Sequence, residues 1–224
     1  MTDSHCHVSG GDPDVREFLI GRDFIGVHPW DAGNCSDCSD CSIVRLRESL
    51  AADSRLGVGE IGLDRLKKRE ISQMMREAFE TQLRLALEFG RPVVLHGAKC
   101  WGQVVKTVQR LTIEQSNNPN NRTIPPLLFH GFSRSDGLIP DIVALNGYIS
   151  VGPAVLNDHA VNYRELVKRI PLERLLLETD RTPENAAECP SVREVAAEVA
   201  KLRGTTVVEL ERLTDENAER FKRR

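Results

Sequence analysis

The stretch Gly57-Val58-Gly59-Glu60-Ile61-Gly62-Leu63-Asp64 surrounds one glutamate with apolar and glycine residues and ends on an aspartate. A run this apolar buries a carboxylate only where a cation compensates it. Glu60 therefore reads as a cation partner, although taken alone it suits an ion pair equally well. The flanking runs repeat the design: Phe24 to Trp30 reads FIGVHPW and brings an apolar run to His28, and Pro92 to His96 reads PVVLH. Farther out lie DSHCH (Asp3 to His7), LLFH (Leu127 to His130) and LLLETD (Leu175 to Asp180). Strands that end on metal-ligand side chains, with helices between them, describe a parallel α/β barrel whose active site lies at the carboxyl ends of the strands.

Between these runs the sequence takes up helical period. Ser42 to Ala52, Glu70 to Phe89, Trp101 to Leu111, Val161 to Ile170, Ser191 to Leu202 and Val207 to Phe221 read as helices, and Gly147 to Val151 as a further strand. The alternation predicts a parallel sheet with helices packed outside it, a TIM-like (βα) barrel, and no shift of composition divides residues 1–224 into more than one domain. Only residues 8 to 27 separate His7 from His28. At about 1.5 Å per helical and 3.3 Å per strand residue this cannot hold helix, strand and helix. One βα unit near the N-terminus is expected to be shortened or missing, with a second strand that is short and irregular or absent.

The chain of 224 residues is 40% hydrophobic and 28% charged, with a net charge of -3. No global basic field advertises nucleic acid, so an anionic substrate needs local cations. No apolar run approaches membrane-spanning length and no signal peptide precedes the first motif, so a cytoplasmic, reducing location is expected. There the six cysteines are thiols or ligands rather than disulfides, and the sequons at Asn34 and Asn121 carry no glycan. The series Cys35, Cys38, Cys41 has the spacing that begins some metal-cluster motifs, but it lacks a fourth ligand in sequence and reads as a reduced loop.

Each ligand candidate has a plainer alternative. His5 and His7, two apart on a strand, point to the same side while Cys6 points away. His96 and His130 each end an apolar run, where a histidine is also at home as a hydrogen-bonded core residue, and Asp180 could be a helix N-cap. The joint pattern decides between these readings: five of six histidines fall at strand ends, with Glu60 and Asp180 in matching places. His159, in an Asn-Asp-His loop, stands outside the pattern and reads as a solvated surface histidine.

In this order the motifs DSHCH, GVHPW, GEIGLD, PVVLH, HGFS and ETD resemble the TatD-type metal-dependent hydrolases, from Asp3 to about Phe221. The resemblance implies two divalent metal ions: His5 and His7 on the first, completed by Asp180, His96 and His130 on the second, and Glu60 bridging them. It sets His28 beside the ions without making it a primary ligand. The family is associated chiefly with DNA hydrolysis from strand ends, and some members with removal of D-amino acids from tRNA. Two cations about 3.5 to 4 Å apart need a bridging carboxylate, which Glu60 supplies, and Asp180 can accept the proton of an attacking water. Imidazole-rich ligation favours zinc or manganese, with magnesium as the alternative.

The chain departs from the family pattern in its cations. Where the family places an arginine two positions after the histidine that matches His96, this chain has Ala98 followed by Lys99; Arg134 replaces a glycine, and Arg181 replaces a small residue after Asp180. Lys99, Arg134 and Arg181 would suit substrate phosphates, while the plainer reading leaves them as solvated loop charges. The expected function is a two-metal deoxyribonuclease or phosphodiesterase acting on nucleic-acid ends. An aminoacyl-ester (D-aminoacyl-tRNA) or amide hydrolase is the first alternative, and a non-catalytic binding protein that kept the fold is the second.

Overall fold

A computed structural model describes residues 1–32, 39–67, 69–116 and 123–223. Cys35, Cys38, the side chain of Cys41 and the sequon residues Asn34 and Asn121 lie outside the described residues. Among those described, eight strands run parallel: β1 (Thr2–Cys6), β2 (Arg16–Leu19), β3 (Phe24–Ile25), β4 (Gly57–Asp64), β5 (Val93–Ala98), β6 (Leu127–Phe129), β7 (Gly147–Val151) and β8 (Leu175–Leu177). Strands β3 to β8 form one sheet in sequence order, and β1 with β2 forms another. Two seams join them. Ile20, just past β2, bridges Phe24 of β3, and beyond β8 the Asp180 N–H donates to His5 O at 3.0 Å while the His7 N–H donates to Arg181 O at 2.8 Å. The order of the strands is that of a TIM-like α/β barrel.

The helices are α1 (Ser39–Ala52), α2 (Gln73–Phe89), α3 (Trp101–Ser116), α4 (Ile139–Ala144), α5 (Val161–Arg169), α6 (Val192–Arg203) and α7 (Val207–Lys222). Local chemistry sets their ends. Ser72 caps α2 through the Met75 N–H, and Gly90 closes it in a left-handed conformation at φ 62°. Ser191 and Glu194 form a reciprocal capping box on α6. Helix α4 has no counterpart in the periodicity, because six residues with Pro140 in the first turn show no face to read.

The shortening near the N-terminus falls on the helices rather than on the strand. Residues 7–15 and 20–23 connect β1 to β2 and β2 to β3 without an α-helix, and β2 survives as four residues with an irregular register against β1. Strand β3 is shorter than the FIGVH run suggested. A Cβ on Gly26 would lie 2.9 Å from the Ile61 side chain, and the fully buried Gln82 of α2 takes over the ladder's role, its Oε1 accepting from the Val27 N–H at 2.6 Å and its Nε2 donating to Val27 O at 3.1 Å.

Alternate strand residues face opposite ways, and the core splits accordingly. Val93, Leu95, Leu127, Phe129, Ile149 and Leu177 pack outward against the helices. Val94, Leu128, Tyr148 and Leu176 face inward and meet Phe18, Phe24 and Phe221. Phe221, from the last helix, closes the amino-terminal end of the barrel, stacked on Phe24 with ring centroids 5.6 Å apart. Two residues beyond Val94, Leu128 and Leu176 the same inward register holds His96, His130 and Glu178. The apolar layer is thus a floor on which a polar layer stands.

Candidate metal centre

Glu60 is the centre of that polar layer. The register of β4 against β5 shifts between Val58 and Ile61, so Ile61 and Leu63 stay in the outer core while Glu60 turns inward. Its carboxylate is buried and five imidazoles surround it. On one oxygen, Oε1, His130 Nε2 stands at 2.5 Å, His96 Nδ1 at 2.6 Å and His28 Nε2 at 3.6 Å. The other, Oε2, faces His7 Nε2 at 3.4 Å and His5 Nε2 at 3.7 Å. Asp180, aimed by a left-handed backbone at φ 50°, brings Oδ1 to 3.4 Å from His5 and 3.6 Å from His7.

These residues fit a divalent cation. His5 is fully buried, and neither of its ring nitrogens has a hydrogen-bond partner among the described residues, an arrangement costly unless a cation takes the lone pair. Two ligand atoms about 2.1 Å from a tetrahedral ion lie about 3.4 Å apart. The 3.4 to 3.7 Å separations among His5, His7, Glu60 and Asp180 match that spacing. His96 and His130 instead sit at hydrogen-bond distance from Glu60, with their nitrogens 3.2 Å from each other. His130 also comes within ligand reach of His5 and Asp180.

The electrostatics follow from this crowding. Burial alone would raise the Glu60 carboxyl, but the charge of His130 and hydrogen bonds from His130, His28 and His7 hold it well below the usual carboxylate range. Burial works against a charge on His130 too, yet Glu60, Glu178 and Asp180 push its imidazole up to about 10. His5 moves down, because burial and the neighbouring His130 charge favour its neutral form. Asp180 is held low despite burial by the closeness of the His5 imidazole and by the charge of His130. A cation binding here would displace protons from imidazoles.

The remaining sequence candidates separate. The Nδ1 of His28 accepts from the Trp30 N–H at 3.1 Å, so its Nε2 carries the proton and faces Glu60 as a donor rather than as a ligand. Lys99 is exposed at the turn after β5, with φ 57°. Arg134 is exposed, with φ 56°, along a cleft that reaches Asp180. The guanidinium of Arg181 is engaged by its own loop, donating to Ala186 O at 2.6 Å and Cys189 O at 3.0 Å.

Three buried carboxylates escaped the sequence reading. Asp64 accepts from His96 Nε2 at 2.8 Å and from Trp30 Nε1 at 2.8 Å. It thereby fixes the tautomer that leaves His96 Nδ1 facing the centre. Asp3 accepts from the Thr179 N–H at 3.0 Å and its hydroxyl at 2.6 Å, tying β1 to the segment that carries Asp180. Glu178 accepts from the Gly131 N–H at 2.8 Å and from the Ser150 hydroxyl at 2.5 Å, and burial pushes its carboxyl up to about 7. Period-two counting from Leu176 would have found Glu178; the bonds of Asp3 and Asp64 join residues too far apart in sequence for any local signal.

Comparison with known proteins bears on the same features. The chain is 30% identical over 214 residues to the "uncharacterized metal-dependent hydrolase YabD" of Bacillus subtilis, covering 92% of this chain and 79% of that protein. It is 30% identical over 208 residues to the "3'-5' ssDNA/RNA exonuclease TatD" of Cronobacter sakazakii, covering 88% and 74%. Among solved structures, the TatD homologue YjjV of Escherichia coli superposes with a TM-score of 0.78 at 22% identity, over 98% of this chain and 96% of that one. The model of the family described as TatD related DNase matches residues 21–223. With that match spanning strands β3 to β8 and every helix from α1 to α7, the chain belongs to the TatD family and is a metal-dependent hydrolase.

Proposed function

We propose that the whole chain acts as one catalytic domain, a two-metal phosphodiesterase that removes nucleotides from the ends of single-stranded nucleic acid. The observation that carries this reading is the single buried carboxylate of Glu60 facing five imidazoles, two of them shared with Asp180. His5, His7 and Asp180 would hold one ion and His96 and His130 the other, with Glu60 offering one oxygen to each. Zinc or manganese suits the imidazoles, with magnesium the alternative. When bound, divalent cations polarise a phosphodiester and make a water acidic enough to attack at neutral pH. The chain's own groups do the rest. Asp180 turns Oδ1 to His5 and His7, leaving Oδ2 to take the proton of the attacking water and return it to the sugar oxygen released as its bond to phosphorus breaks. The Nε2–H of His28 donates to a non-bridging phosphate oxygen. The nuclease name carried by the Cronobacter relative supports this substrate class.

The test is release of nucleotides from a short single strand by metal-loaded protein, beside release of amino acid from D-aminoacyl-tRNA, with Asp180→Asn and Glu60→Ala as controls. Nucleotide release should fall at least a hundredfold in both variants, and Glu60→Ala should also lose more than half of the bound metal by elemental analysis. Deacylation without nucleotide release would replace the reading.

A further inference from the structure

A cleft of about 1090 Å³ opens beside the metal centre, with Asp180, Thr179 and Glu178 at one end and Arg134, His159 and Asn162 among its other walls. Small-molecule pockets run to roughly 300–1,000 Å³, so the cleft exceeds what one phosphodiester group needs. Its floor includes Gly152, where a Cβ would come within 3.3 Å of Glu178 Cγ, and a side chain there would narrow the cleft. The charges along its walls are not equivalent. Asp136 is bound to Arg169 and Glu165 to Lys168 at 2.7 Å. Arg134 has no ion pair or hydrogen bond among the described residues, and the His159 ring likewise has none. Arg134 holds a left-handed backbone at φ 56°, a conformation that favours glycine. Such a conformation costs on the order of 1 kcal/mol or more and persists where the surroundings impose it. Two other cations near the centre are engaged elsewhere: Arg181 by backbone carbonyls, and Lys67 by the Trp30 ring, with Nζ 3.6 Å from its centroid.

We propose that this cleft is a second phosphate-binding position, in which Arg134 and His159 hold the phosphodiester next to the one being cleaved. The enzyme then selects chains of at least two phosphates over a single phosphodiester. This inference rests on the nucleic-acid reading above and adds a length requirement to it. The guanidinium supplies a forked, permanently charged donor for phosphate oxygens, and the imidazole a further N–H donor. His159, which the sequence pattern left as a solvated histidine, becomes a specificity residue.

The experiment compares kcat/KM for a single-stranded pentanucleotide with kcat/KM for bis-p-nitrophenyl phosphate, using metal-loaded wild type, R134Q, R134G and H159Q. R134G removes the cation while relieving the backbone, so it keeps the fold if R134Q does not. The pentanucleotide preference should fall about tenfold in both Arg134 variants and severalfold in H159Q, through KM, with a shallower dependence of KM on salt. An undiminished preference in the Arg134 variants, with wild type degrading the pentanucleotide, would overturn the cleft assignment and leave the phosphodiesterase reading standing. A wild type that cleaves neither substrate would overturn both.

Discussion

The candidate ligand side chains lie at strand ends, but the groups that orient them are scattered through the sequence, and this is where single substitutions are most informative. Asp64 touches no substrate; it holds His96 by the ring nitrogen that faces away from Glu60. Asp64→Ala should lower divalent-metal affinity about 10–100-fold by titration calorimetry, and an affinity within twofold of wild type would remove that role. Glu178 carries a pH prediction for protein kept metal-free with chelator. Burial raises its carboxyl from 4.5 to about 7, so the folded chain keeps a proton that the unfolded chain has released. Its contribution to stability is therefore complete below about pH 4.5 and is lost as pH rises through 7. Denaturant melts at pH 5 and pH 7.5 should show wild type losing more stability across that interval than Glu178→Gln. Equal losses would show that the carboxyl titrates normally.

At the scale of elements, the barrel is floored by its last helix. Phe221 of α7 is fully buried among Phe18, Phe24 and Tyr148, directly beneath the layer that carries the histidines. Phe221→Ala should cost about 3 to 5 kcal/mol of unfolding free energy. Because the deleted ring lies at the amino-terminal end, metal bound per folded chain should stay at the wild-type value. Loss of metal in proportion to loss of stability would mean that the two layers are coupled. The connections without helices, residues 7–15 and 20–23, fit the same picture. They shorten the route between strands while β1 still delivers His5 and His7.

For the molecule as a whole, net charge of -3 opposes long-range capture of polyanions. Long duplex DNA should bind weakly, and short single strands that enter the barrel mouth should be turned over in preference. Gel-based assays of a duplex and its separated strand at two salt concentrations will read this. Equal turnover of blunt duplex and single strand would contradict it. The described residues contain no helix long and apolar enough to cross a membrane.

The sequence by itself determined the parallel alternation of strands and helices, the family, and the histidines and carboxylates that crowd around Glu60. Those features are local: an apolar run ending in a ligand residue, or a helical period ending in glycine, is visible in a dozen consecutive residues. GVGEIGLD was read with its observed bounds, and the brevity of residues 8 to 27 announced a reduced unit. Tertiary structure alone decided that the helices there, and not the strand, were lost. It also showed that Gln82 replaces the ladder at Val27, that Asp64 and Asp3 support segments carrying the candidate ligands His96 and Asp180, and that Arg181 binds its own loop while Arg134 lines the cleft. These outcomes depend on which distant groups a buried donor or acceptor can reach. Each buried polar group must find a partner, but the sequence names the need without naming the partner.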